Sequence, residues 1–206
     1  MRPRPMYRNI LISNEIDAAC AKAVIDKIMD INYDDDMKQE DFRDWEREPI
    51  YLFINTNGGN AYDALAIYDM IKQSDTPVYT VALGWCMSAG LWIFMAGKER
   101  FVGEHATLMF HDVKGWANDK TEGIKQELEE ATRLSKMYCN AIISESNVTQ
   151  SALDDYITRK AEWYIPAEAR NTLVLTPMRR ETLLLCIVFR AQRCLTRWLT
   201  TLRKTL

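Results

Sequence analysis

Strand-like apolar runs alternate with helix-like segments along most of this 206-residue chain, and that alternation restricts the fold more than any other feature. Residues 50–54 form a continuous apolar run, which is typical of a strand buried on both faces of a parallel sheet. Further strands are predicted at residues 9–12, 78–83, 100–102 and 107–110. Because strands that alternate with helices favour repeated βαβ crossovers, we predict an α/β protein.

Helical spacing of apolar residues predicts what connects these strands. Helices are expected at residues 16–31, 61–72, 88–96, 121–146 and 151–159. Asn60 should cap the second helix, which is apolar nearly all round and is therefore expected to be largely buried. The helix over 121–146 would have about seven turns and a length of ~39 Å. The acidic residues 34–48 are predicted to form a solvated loop or a frayed helix.

Composition argues against several classes of function. A net charge of −3 gives no overall attraction to nucleic acid, so no nucleic-acid partner is expected. The five cysteines are widely spaced and form no C-x-x-C pair. This favours buried free thiols in a reducing compartment, and we predict a cytoplasmic protein without a metal or cofactor. The N-terminus has no apolar stretch typical of a secretory signal.

The last 36 residues differ from the rest of the chain. Residues 171–206 carry seven Lys or Arg and one acid, and they include the apolar run 183–189. That run is far shorter than the ~20 residues that span a bilayer. A basic amphipathic segment packed on the body or on another subunit is favoured over contact with a membrane surface. The predicted division is a domain over residues 1–170 and a basic C-terminal extension over residues 171–206.

Ser88 stands between a predicted buried strand and a predicted helix. A helix N-terminus directs free N–H groups and the positive end of its dipole toward this position. A serine hydroxyl becomes a nucleophile only when a neighbouring base takes its proton. The full G-x-S-x-G elbow is absent, because Cys86 occupies the first glycine position. The local sequence favours a nucleophile and a simple N-cap equally.

His111 and the Gly58-Gly59 pair also stand at the ends of predicted strands. A lone histidine in such a place is more often structural, but next to Ser88 it would be a general base. The other histidine, His105, is expected in an exposed turn. The glycines fit either a tight turn or a backbone that approaches substrate and donates N–H groups to an oxyanion.

Taken in order, these segments resemble the proteolytic subunit of the Clp protease, a family of serine peptidases. The similarity spans residues 7–169, roughly four-fifths of the chain, and its strongest stretches are residues 14–17, 50–55, 57–59, 66–69, 87–90 and 108–111. The resemblance implies a crotonase-like spiral of repeated ββα units, with residues 121–146 as a handle helix between two rings. It also implies that Ser88 is the nucleophile, that His111 is the base, and that Gly59 and Ala89 donate the oxyanion-hole N–H groups.

The third member of the expected catalytic triad is less clearly marked. The family has an aspartate a few residues before an aromatic pair. One register places Glu162 at that position, and a shift by one places Ala161 there. Glu162 is favoured because this register aligns the aromatic pair 163–164 with the aromatic pair of the family. A glutamate also orients the histidine in some hydrolases. Asp154 and Asp155 are the remaining candidates.

The leading hypothesis is a serine endopeptidase subunit that cleaves unfolded polypeptides through an acyl-enzyme. The resemblance implies a homo-oligomeric double ring served by an ATP-dependent unfoldase, although residues 1–8 are shorter than the family's axial loops and the similarity ends near residue 170. One alternative is a catalytically inactive Clp-like subunit with a structural or docking role. Another is a crotonase-type acyl-CoA enzyme, which would not need Ser88 and His111 together. Met87, Trp92 and Met109 are expected to be core residues near the site.

Overall fold

The computed structural model describes residues 8–42, 45–114, 120–159, 162–166 and 176–177. Within them, seven strands and five helices follow one another along the chain. Their order is β1 (Asn9–Ile12), α1 (Ala18–Asp41), β2 (Ile50–Thr56), α2 (Ala61–Gln73), β3 (Val78–Met87), α3 (Ala89–Met95), β4 (Glu99–Val102), β5 (Thr107–Phe110), α4 (Thr121–Glu145), α5 (Gln150–Arg159), β6 (Trp163–Pro166) and β7 (Thr176–Pro177).

Strand β3 pairs with different neighbours in its first and last residues, and this change of partner positions the candidate site. Strands β1, β2, β3, β4 and β7 lie side by side and are all parallel. The first half of β3 pairs with β4, whereas residues Trp85 to Met87 pair with β5. The change occurs at Gly84, whose φ is 55°, in the left-handed region that favours glycine. β3 is therefore four residues longer than predicted, and its extra residues lead directly to Ser88.

The core contains buried residues of the sheet and of all five helices. Every residue of α3 is buried. In β2, Ile50, Leu52 and Ile54 are fully buried, while Tyr51 and Phe53 on the opposite face are half-buried. The prediction that this strand is buried on both faces was therefore wrong, because one face is only partly covered.

Helix α1 continues to Asp41, so residues 34–41 take the helical one of the two states expected for this stretch and not the solvated loop. Asp35 is fully buried and accepts hydrogen bonds from Arg8 Nη1 at 2.8 Å and from Thr76 Oγ1 at 2.8 Å. Burial alone would raise the pKa of Asp35, but the hydrogen bonds from Arg8 and Thr76 and the charge of Arg8 outweigh it and lower that pKa. One acid of this stretch therefore anchors the helix.

Helix α2 begins as predicted but is less buried than predicted. Asn60 Oδ1 accepts hydrogen bonds from the N–H groups of Tyr62 and Asp63 at 2.8 and 3.2 Å, which confirms the predicted N-cap. Only one face of the helix is buried, with Ala64, Ile67 and Ile71 in the core, and Tyr62 is 53% exposed. The prediction of a largely buried helix was therefore wrong.

Beyond residue 170, the structure describes residues 176 and 177. Residues 176 and 177 form β7, which pairs with β4 at the edge of the sheet. The rest of the predicted extension lies outside the described residues, and the division at residue 170 stays a prediction. None of the helices among the described residues is long and apolar enough to cross a bilayer.

Candidate active site

Ser88 has a backbone conformation that non-glycine residues rarely adopt. Its φ is 52° and its ψ is −123°. Such a conformation costs of order 1–3 kcal/mol and persists only where the surroundings hold it. The Ser88 N–H donates to the Met109 carbonyl at 2.8 Å, and the Ser88 carbonyl accepts from Leu91 N, Trp92 N and Tyr138 Oη at 3.0, 3.2 and 2.8 Å. The side chain makes no capping hydrogen bond, which disfavours the N-cap interpretation.

Four of the residues predicted for the site border one cavity of about 410 Å³, namely Ser88, His111, Gly59 and Ala89. They come from different parts of the chain: the β3–α3 junction, the end of β5 and the β2–α2 loop. The pairing of Met87 with Met109 in the β3–β5 ladder places the two strand ends side by side. The structure thus brings the predicted nucleophile, base and N–H donors to one cavity.

The glycine pair lies against Ser88. A Cβ added at Gly58 would stand 2.7 Å from Ser88 Cβ and 3.1 Å from Ala89 N, and the φ of Gly58 is 110°. Gly58 N–H donates to Thr56 Oγ1 at 3.2 Å. The N–H groups of Gly59 and Ala89, in contrast, make no hydrogen bond to another described residue. These two donors are therefore available to a ligand in the cavity.

His111 is held by the residue that follows it. Its Nδ1 contacts the Asp112 carbonyl oxygen. The carboxylate of Asp112 accepts in turn from Val113 N at 2.9 Å and from Ser135 Oγ. Because a carbonyl only accepts, this contact is a hydrogen bond in the tautomer that carries the proton on Nδ1, and that neutral tautomer has the Nε2 lone pair that a base requires.

Glu162 lies beside His111 without a hydrogen bond to it. In the antiparallel β5–β6 pair, Phe110 is opposite Trp163, so the next position outward sets His111 opposite Glu162. The Glu162 carboxylate accepts from Tyr164 Oη at 2.5 Å and pairs with Lys114 Nζ at 3.5 Å. The Tyr164 hydrogen bond, followed by the charges of Lys114 and His111, lowers the pKa of Glu162. The carboxylate is therefore ionised at neutral pH, but Glu162 does not border the cavity that His111 borders.

The other candidate acids are less well placed. Asp154 accepts a hydrogen bond from Gln150 Nε2 at 2.7 Å, and both it and Asp155 are exposed on α5. Like Glu162, neither borders the cavity, but unlike Glu162 neither is opposite His111 in the continued β5–β6 register. Ala161, which the alternative register places at the acid position, lies outside the described residues.

Sequence reasoning missed the contribution of α4 to the cavity wall. Glu130 accepts from Tyr62 Oη at 2.5 Å and from two nitrogens of Arg133 at 2.7 Å each. Those hydrogen bonds lower the pKa of Glu130 to about 2, so this wall is charged at neutral pH. Tyr138 also borders the cavity. The amphipathic pattern of 121–146 indicated a buried face but not which side chains would meet the site.

Of the three apolar residues expected near the site, Trp92 borders the cavity and is 2% exposed. Met87 and Met109 do not border it, and Met109 is a core residue. A second depression of about 570 Å³ adjoins the same glycine pair. Its wall carries Glu15 and several polar side chains but neither Ser88 nor His111, so the smaller cavity is the better candidate for the active site.

Comparisons with known proteins identify the class of protein that has this fold. The family model described as Clp protease matches residues 5–172. The ATP-dependent Clp protease proteolytic subunit 2 of Prochlorococcus marinus (strain MIT 9312) is 29% identical over 133 residues, which cover 63% of this chain and 61% of that protein. The protein of the same description from strain NATL2A is 25% identical over 168 residues, 80% of this chain and 78% of that protein.

A solved structure agrees with these relatives. A mutant of ClpP1 from Listeria monocytogenes superposes with a TM-score of 0.70 at 22% identity, over 86% of this chain and 95% of that one. This match confirms the predicted crotonase-like α/β fold, with α4 resembling the handle helix. The family match and the curated relatives, and not this distant structure, place the protein in a class of serine endopeptidases. The chain belongs to the Clp protease family.

Proposed function

We propose that this chain is a peptidase subunit in which Ser88 is the nucleophile and His111 is the general base. The observation that carries the proposal is the strained backbone of Ser88, which borders the same cavity as His111 and as Gly59 and Ala89, whose N–H groups make no hydrogen bond to another described residue. Strain of this kind is found where a side chain must be held in an exposed, reactive position.

The reaction follows from the order of the residues around the cavity. Ser88 Oγ attacks the peptide carbonyl carbon while His111 Nε2 takes the hydroxyl proton. The carbonyl oxygen becomes an oxyanion, and the N–H groups of Gly59 and Ala89 stabilise it, each contributing about 3–4 kcal/mol. The C–N bond then breaks as His111 returns the proton to the leaving amine. A water molecule, deprotonated by His111, releases the acyl group from Ser88.

Glu162 is proposed as the acid that supports His111 through its charge. Its carboxylate is ionised, and Glu162 is opposite His111 where the β5–β6 register is continued by one residue, so its negative charge would stabilise the imidazolium formed during attack. The Asp112 carbonyl holds the Nδ1 proton, a task that a carboxylate performs in the usual triad. Orientation and charge stabilisation are therefore divided between two residues.

Unfolded polypeptides are the proposed substrates, within a homo-oligomeric double ring that an ATP-dependent unfoldase serves. The relatives described as ATP-dependent Clp protease subunits support this assignment. Helix α4 presents Ile124, Leu128 and Met137 to solvent, which supports self-association through the handle helix. The free, buried thiols of Cys20, Cys86 and Cys139 support a reducing compartment such as the cytoplasm.

Labelling with a fluorophosphonate tests the proposal directly. The assembled protein should form one adduct, located at Ser88 by mass spectrometry of its peptides. Ser88→Ala should abolish labelling and peptide hydrolysis, and His111→Ala should reduce both on the order of 10³-fold. Ser144→Ala is the matched control, because that hydroxyl only bonds the Ala141 carbonyl of its own helix. Labelling that persists in Ser88→Ala would contradict the assignment.

The inactive Clp-like subunit is the second candidate, because the Glu162 carboxylate makes no hydrogen bond to His111. It makes the opposite prediction in the same experiment. A correctly assembled protein that forms no adduct, under conditions that label an active Clp peptidase, would favour a structural or docking role.

A further inference from the structure

Helix α4 touches both halves of the proposed catalytic pair with side chains one helical turn apart. Tyr138 Oη donates a hydrogen bond to the Ser88 carbonyl at 2.8 Å, across 50 residues of sequence. Ser135 Oγ donates to the Asp112 carboxylate, next to His111. Residues three apart lie on the same face of a helix, so one short surface of α4 contacts the turn of the nucleophile and the loop of the base.

The Tyr138 ring is fixed between the elements that carry these two residues. It stacks on Trp92 of α3 with ring centroids 4.8 Å apart and an interplanar angle of 18°. It also packs against Phe110, the residue before His111, at 4.9 Å. Tyr138 is only 3% exposed, and burial raises the pKa of its hydroxyl, so the hydroxyl keeps its proton and remains a donor at neutral pH.

The hydroxyl of Tyr138 is not required merely to satisfy the Ser88 carbonyl. That carbonyl already accepts from the N–H groups of Leu91 and Trp92 in the first turn of α3. Ser88 has a strained φ, and the additional hydrogen bond from Tyr138 fixes the position of the Ser88 turn relative to α4. Ser135 fixes the loop that follows His111 in a similar way. Its Oγ donates to the Asp112 carboxylate and also accepts a hydrogen bond from Val113 N at 3.2 Å.

We propose that Tyr138 and Ser135 are positioning residues that set the placement of Ser88 relative to His111. Both act through backbone or neighbouring groups and do not touch the reacting atoms. This inference rests on the proposed function of Ser88 and His111. It makes the geometry of the active site depend on how α4 packs, and α4 is the helix that presents Ile124 and Leu128 to solvent on one face.

Tyr138→Phe tests the first contact, because it removes one hydroxyl and keeps the stacked ring. The expected result is a kcat lowered about fivefold, which corresponds to about 1 kcal/mol in the activation barrier, with KM changed by less than about twofold. The second-order rate of fluorophosphonate labelling at Ser88 should fall by the same factor. A merely structural role would lower Tm and leave the rate of labelling per assembled active site unchanged.

Ser135→Ala is the second variant, and it keeps the proposal testable if Tyr138→Phe assembles poorly. Alanine is favourable in a helix, so the variant should fold, and kcat should again fall about fivefold for the loss of one hydrogen bond. The matched controls are Tyr68→Phe and Ser144→Ala, which delete hydroxyls that do not border the cavity. Both should label and turn over at the wild-type rate.

The outcomes separate this inference from the proposed function. If the wild-type protein labels at Ser88 and both variants match it in kcat and labelling rate, the positioning role is refuted and the peptidase assignment stands. If the assembled wild-type protein does not label at Ser88, the proposed function fails and this inference fails with it.

Discussion

Replacing Gly58 with alanine should disable the site while leaving the fold largely intact. The added Cβ would lie 2.7 Å from Ser88 Cβ, 3.0 Å from the Met87 carbonyl oxygen and 3.1 Å from Ala89 N. Real Cβ atoms do not approach another carbon so closely, and two of the three neighbours are backbone atoms. The conflict is therefore resolved by displacement of the Ser88 turn, not by rotation of a side chain.

The size of the effect follows from how firmly Ser88 is held. Its N–H and carbonyl groups are bonded to Met109, Leu91, Trp92 and Tyr138, so the turn cannot move without loss of at least one of these contacts. The φ of 110° adds strain for any side chain, of order 1–3 kcal/mol. A misplacement of about 1 Å at a reacting group costs about 10²-fold in rate, which is the expected loss in kcat/KM.

The assay compares Gly58→Ala with Gly84→Ala. Gly84 also has a positive φ, of 55°, but its added Cβ would meet the side-chain oxygen of Asn55 at 2.7 Å and not Ser88. Both variants should lose stability by thermal denaturation, whereas only Gly58→Ala should lose kcat/KM and fluorophosphonate labelling about 10²-fold. Equal losses of activity in the two variants, or near wild-type turnover in Gly58→Ala, would refute the argument from geometry.

Two further predictions concern charged groups. Arg8→Gln should lower the free energy of unfolding by about 3 kcal/mol at neutral pH, because it leaves the fully buried Asp35 carboxylate without its cation. Because the pKa of Asp35 is lowered in the folded state, its stabilisation is present above its unfolded pKa of about 3.9 and is lost as the pH falls through the folded value. Urea denaturation should therefore show the stabilities of the variant and the wild type converging as the pH falls through the lowered folded-state pKa of Asp35, and parallel curves would count against the buried pair. Glu162→Gln should lower kcat only about tenfold, whereas a loss near 10⁴-fold would mean that Glu162 bonds His111 directly in the working enzyme.

Local pattern was sufficient for most of the elements. Strands β1 and β5 have the predicted bounds, and α4 ends one residue earlier than its predicted range of 121–146. These segments have strong periodicity or dense apolar composition, and their neighbours in sequence include clear turn residues. The local sequence determines such elements because few alternative conformations of the segment compete with them.

The errors arise where distant contacts decide the conformation. The continuation of β3 through Gly84 and Trp85 depends on pairing with β5, about 20 residues further along the chain. For residues 34–41 the sequence left a loop and a helix open, and the helix is supported by the ion pair between Asp35 and Arg8, which are 27 residues apart. A count of charges could not distinguish the one buried acid from its solvated neighbours.

The role of Ser88 also could not be decided from the local sequence alone. Resemblance to a family selected Ser88, His111, Gly59 and Ala89, but the sequence around Ser88 was equally compatible with a simple cap. What separates the two is the φ of 52° together with the unbonded side chain. That conformation is stabilised by groups from β5, from the first turn of α3 and from α4, none of which is part of the local motif. Because strain of order 1–3 kcal/mol is maintained by these tertiary contacts, substitutions on α4 should change the reactivity of Ser88 before they change the secondary structure around it.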